Sequence, residues 1–158
     1  MTAMWGIHAD APRSAFLATG VIVLERGGIG DLHAIGEDRD AFRRRLGASH
    51  PDAKAEAVSV WASALMRFGF AAGVGDVVVH PERASGSISV GRIDSDYYFE
   101  EPDRHCRRVA WLVRRFPRAD LSDVARREVS ARAAFFAVRH SADEIYALLP
   151  QDDAQNQR

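Results

Sequence analysis

Few residues in this chain have the types and spacing for bond-making chemistry. The segment PDAK at 51–54 has the ingredients of a metal-dependent nuclease signature, with Asp52 and Lys54 as its acid and base. Both are compressed into four residues, however, and no separate acidic-x-Lys strand supplies the spaced carboxylates that hold a metal ion. GGIG and GVGD lack the strand-to-helix setting and spacing of a dinucleotide site, and no GKS or GKT marks a phosphate loop. His105-Cys106 has no second ligand pair to complete a zinc site. No nucleophile elbow surrounds a serine, and a Ser-His-Asp set assembled only in space leaves no trace in sequence. The expectation is a protein without a nuclease core, metal or cofactor.

Two other residue sets can bind rather than react. Trp61 stands where the apolar stretch VSVWASALMRFGF should enter a helix; periodicity with Leu65 and Phe68 makes it a core anchor, while its position also suits one wall of a pocket. The basic residues are almost all arginine and fall in clusters, at 43–45, at Arg104, Arg107 and Arg108, and at Arg114, Arg115 and Arg118. Such clusters are either solvated faces or local phosphate-binding patches.

These side chains need a fold to position them. At 158 residues, with 47% hydrophobic and 27% charged residues and a net charge of −1, the chain can bury one core of its own without being drawn as a whole to a polyanion. A lone Cys106 forms no internal disulfide, and neither a signal peptide nor a membrane span is apparent, so the expected compartment is the cytoplasm.

Local patterns give the order of elements. Residues 4–8 read as an opening strand, followed by a helix from Asp10 to about Ala18 stopped by Gly20. Residues 21–24 are a β-branched strand, GGIGDLHAIG a glycine-rich connection, and DRDAFRRRLG a helix with acids first and arginines last. The Trp61 helix ends near Gly73. Strands are expected at 77–79, at 87–93 after a loop with Pro81 and Gly86, and at 107–113, where Val109, Trp111 and Val113 share one face. A short helix at 121–127, a last strand at 133–139 and a helix opened by Ser141 complete one mixed α+β domain over residues 4–149, with 150–158 as a polar tail or linker.

In this order, MWGIHAD, VIVLE, GIGDLHAIG, VWASALMRFGF, GVGDVVVHP, ISVGRIDSDYYF and RRVAWLVRRFPRADLS resemble the N-terminal domain of Mrr-type restriction proteins. That domain is similar to the EVE and YTH domains of the PUA-like superfamily. The resemblance implies a PUA-like mixed β-barrel with flanking helices whose aromatic cage holds a modified base. It makes Trp61 a cage wall beside Ala62 and Ser63, Asp10 and His8 polar pocket residues, and Tyr97, Tyr98 or Phe99 a second wall. Alternate strand residues face opposite sides, so one of these two tyrosines belongs to the core, as do Trp5 and Trp111. Among the arginine clusters, Arg104, Arg107 and Arg108 are the expected phosphate contacts.

The function expected is a non-catalytic recognition module for nucleic acid, chiefly DNA with a modified base, that targets a nuclease domain or subunit in a restriction or defence system. A small-molecule or nucleotide sensor using the same pocket is the alternative. No membrane partner is expected.

Overall fold

A computed structural model describes residues 2–8, 15–25 and 28–151. Short stretches rich in β-branched residues form strands β1 (Met4–Ile7), β2 (Val21–Leu24), β3 (Val77–Glu82), β4 (Ser87–Ile93), β5 (Tyr98–Glu100), β6 (Arg104–Pro117) and β7 (Phe135–Ala137). They make one curled sheet in the order β2-β6-β4-β3-β1-β7, with β5 pairing the start of β6. Only the β1–β3 pair is parallel among these ladders. Helices α1 (Phe16–Thr19), α2 (Leu32–Ile35), α3 (Arg39–Ser49), α4 (Ala55–Met66), α5 (Asp123–Val129) and α6 (Ala142–Tyr146) flank it. No helix among the described residues is long and apolar enough to cross a membrane.

The period of two along each strand splits the interior into two cores. Trp5, Ile7, Val78 and Phe135 face one layer, closed by Phe42 and Leu46 of α3 and by Val58, Ala62 and Leu65 of α4. Met4, Val77, Val79 and Phe136 face the other, closed by Ala125 and Val129 of α5 and Ile145 of α6. Gly6 lies on this second face opposite Phe136, and a Cβ there would come within 2.2 Å of the ring. Only a residue without a side chain lets that ring lie across β1. On β6 the ladder with β4 shifts register between Ile88 and Val90 and again between Val90 and Gly91. Bulges of this kind bend and twist a strand, which is how a 14-residue strand follows a curled sheet.

Several elements differ from expectation. The glycine-rich connection contains α2, because the carboxylate of Asp31 accepts from His33 N and caps a single turn. Helix α3 runs past Gly47 to Ser49, its start capped by Asp38. Pro81 lies inside β3, paired with Ile88, instead of in a loop. Trp5 is buried and stacks on Phe135 at 5.3 Å, whereas Trp111 is half-buried and donates from Nε1 to Phe16 O at 2.9 Å. Ser141 stands before α6, but its hydroxyl donates to Glu128 and does not cap the helix.

Glu128 ties α5 to the segment leading into α6. Its carboxylate accepts from the backbone N–H groups of Arg139, His140 and Ser141 and from the Ser141 hydroxyl, at 2.6–3.0 Å. Burial by itself would raise its pKa, but these four bonds outweigh that and hold it at about 2, against an ordinary 4.5. A depressed carboxylate pKa contributes stability that is complete above the unfolded value and is lost as pH falls through the folded one. Glu128→Gln should therefore cost about 1–2 kcal/mol at neutral pH, after allowance for the group's partial exposure. It should also flatten the decline of stability between pH 4.5 and 2. Urea unfolding at several pH values checks this; parallel curves for variant and wild type would refute it.

Candidate functional site

Helix α4 carries Trp61 in its second turn, not at its mouth, because the helix begins at Ala55. Its apolar stripe then sorts the residues: Ala62 and Leu65 are fully in the core, and Trp61 is half-buried at its margin. The His50 ring, at the C-terminal end of α3, stands 5.1 Å from the indole at 81°, so the two planes form a corner. Ser63 is half-buried on the same helix. Ala62, at 0% exposure, fills the core and is a correction to its expected place in a pocket.

The other expected pocket residues are dispersed. His8 continues β1 on the second face, its ring 5.4 Å from Phe136 and its Nε2 2.6 Å from Ala131 O. Trp61 packs against the first face, so the sheet stands between them. Asp10 lies outside the described residues. Tyr97 is buried: its hydroxyl accepts from Leu32 N at 3.0 Å and meets His105 Nδ1 at 2.9 Å. Burial, and then the nearby Asp31 charge, push its pKa well up. Tyr97 is thus the core member of the tyrosine pair, and Tyr98 is the half-buried one.

Around Tyr97 stands an aromatic group that the sequence did not reveal. The exposed His33 ring lies 4.6 Å from Tyr97 and 5.0 Å from Phe70, with Nε2 2.8 Å from Gly69 O. Its signal was Asp31 at N-cap spacing, which turns a presumed loop into the helical turn that carries His33.

The arginine trio separates as well. Arg104 is paired with Glu100 at 3.0 Å and Glu25 at 3.5 Å, and Arg108 is exposed. Arg107 is a correction, because only 3% of it is exposed and its guanidinium is committed to backbone. Beyond α4 the helix continues as a π-turn, Arg67–Ala71, whose closing carbonyls lack partners within the helix. Arg107 supplies them: Nε donates to Phe68 O and Nη2 to Ala72 O, both at 2.8 Å, with weaker reach to Gly69 O and Ser95 O. A cation at a helix C-terminus also suits the helix dipole. Burial lowers its pKa, while the charges of Asp96 and Asp76 favour the cation.

A family model described as a domain of unknown function, DUF8426, matches residues 5–137, from within β1 to the end of β7. Neither the curated proteins nor the solved structures contain a match.

Arg107→Met keeps the apolar stem but strands buried carbonyls, each worth about 1–3 kcal/mol when unsatisfied. The expected loss is about 3 kcal/mol in urea unfolding, against about 0.5 kcal/mol or less for Arg108→Met on the surface. Equal, small effects for both would show that Arg107 does not hold the helix end.

Proposed function

We propose, for a chain that belongs to the DUF8426 family, a non-catalytic recognition module that binds nucleic acid and holds one base, a modified base in DNA, against Trp61. The carrying observation is the placement of Trp61: a large indole left half-buried at the core margin, with the His50 ring making a corner beside it. Leu65 and Phe68 of the same stretch close into the core, whereas Trp61 keeps part of its indole accessible. A flat, partly open indole is instead suited to a base, since stacking on an aromatic face contributes about 1–3 kcal/mol per base.

The curled sheet flanked by helices is compatible with a PUA-like barrel of the EVE/YTH kind and supports the same reading. A base held in this way has left its stack, so the site must offset the unstacking energy, and a modification that adds contact area helps to do so. On this reading the partners are modified DNA and a nuclease domain or subunit of a restriction or defence system, which performs the cleavage.

Trp61→Ala should reduce the preference for modified over plain duplex about ten- to a hundredfold, matching the loss of one stacking wall. Trp61→Leu keeps the core margin filled and should show the same loss, which separates stacking from folding. Titrations of paired duplexes, with circular dichroism on each variant, make the check. An unchanged preference in both variants would make Trp61 a core residue only. Binding of the free nucleoside as tightly as the duplex would point to a sensor instead.

A further inference from the structure

A basic feature lies on the face of the sheet opposite Trp61. Where β6 ends, the 3-10 turn Arg118–Asp120 and α5 enclose an open groove of about 480 Å³ lined by Arg118, Asp123, Arg126, Arg127 and Ser130. The arginines are held differently. Arg118 donates to the Ser130 hydroxyl and to Arg126 O, both neutral acceptors, so it is fixed in place with its charge uncancelled. Arg126 pairs with Asp123 and reaches Ala119 O. Arg127 is exposed and has no partner among the described residues. Three guanidinium groups against one carboxylate leave an excess of two positive charges in the groove.

Exposed Asp120 belongs to the same 3-10 turn but does not line the groove, and two other nearby carboxylates are engaged elsewhere. Glu128 is engaged by residues 139–141 and Glu144 by Ser122. Arg118 N also donates to Gly86 O at 2.9 Å, which ties the end of β6 to the β3–β4 hairpin.

We infer that this groove is a phosphate-binding site. Asp123 shows what a carboxylate does there: it engages Arg126 and leaves the other two arginines unanswered. A phosphate offers several strong acceptor oxygens, enough for donors converging from both walls, and guanidinium groups bind it in bidentate fashion. Because Arg118 and Arg126 are already held by neighbours, less side-chain freedom is lost on binding. Assigning the phosphate to a nucleic-acid backbone rests on the function proposed above; the phosphate chemistry itself does not.

The test follows the arginine Nε–Hε resonances of Arg118, Arg126 and Arg127 during titration with inorganic phosphate and, separately, with an unmodified duplex. Saturable shifts with either ligand uphold the site, and the ligand that causes them identifies its source. If the duplex is that ligand, Arg127→Ala, which removes an exposed side chain without partners, should weaken modified and plain duplexes alike and lower the salt slope by about 0.9. The site is overturned if neither ligand shifts these resonances, or if a glutamate-rich peptide does so where phosphate and duplex do not. A duplex that shifts the groove while Trp61→Ala and Trp61→Leu keep the wild-type preference would leave this site standing and remove the base-binding role. A duplex preference that depends on Trp61 but leaves the groove silent would do the reverse.

Discussion

The buried guanidinium of Arg107 is the contact on which the arrangement of this molecule turns. A π-turn at the end of α4 leaves carbonyls that neither the helix nor water can satisfy, and a strand distant in sequence sends one fork of donors to meet them. That bond set fixes the end of α4 against β6, and α4 is the helix that carries Trp61. Asp76 plays the complementary part just beyond the turn, its carboxylate accepting from Gly73 N, Trp5 Nε1 and Ala3 N. One cation and one anion thus hold the junction of helix, turn and sheet, each satisfied mainly by backbone or indole donors and acceptors and not by the other.

The two proposed recognition features sit on opposite faces of the sheet and differ in physical character. Trp61 with His50 would offer area and shape, which can discriminate between flat ligands but attract nothing at a distance. The arginine groove offers charge, which attracts phosphate irrespective of sequence and weakens with added salt. On the proposed function, separating the two would allow affinity and selectivity to be set independently.

Local patterning carried most of the fold because strands and helices obey short periods. Val77-Val78-Val79, Gly20 and Asp38 each declared their roles through propensity or capping. What stayed hidden depended on partners far away in the chain. Arg107 is one of several arginines in sequence, and nothing local reveals that Phe68 and Ala72 lie within reach. Tyr97 and Tyr98 alternate as strand residues must, yet only the contacts of Tyr97 with Leu32 and His105 identify it as the core member. The same holds for His8 and Trp61, whose separation by the sheet follows from tertiary packing. Arg118, Arg126 and Arg127 come from two different elements and converge only once β6 has ended and α5 has packed.

The place of β1 has a consequence for how the chain reaches this state. This first strand is interior, parallel to β3 on one side and antiparallel to β7 on the other, with Trp5 facing both Val78 and Ala137. Neither neighbour is local, so β1 gains its ladders only by closing two of the three longest sequence separations in the sheet. Pairings of that kind slow folding, because chain entropy is lost before the contacts reward it. During synthesis the N-terminal strand must wait, with an open edge, until residues 135–137 have emerged from the ribosome. A chain that stops short of them keeps that edge exposed to other molecules.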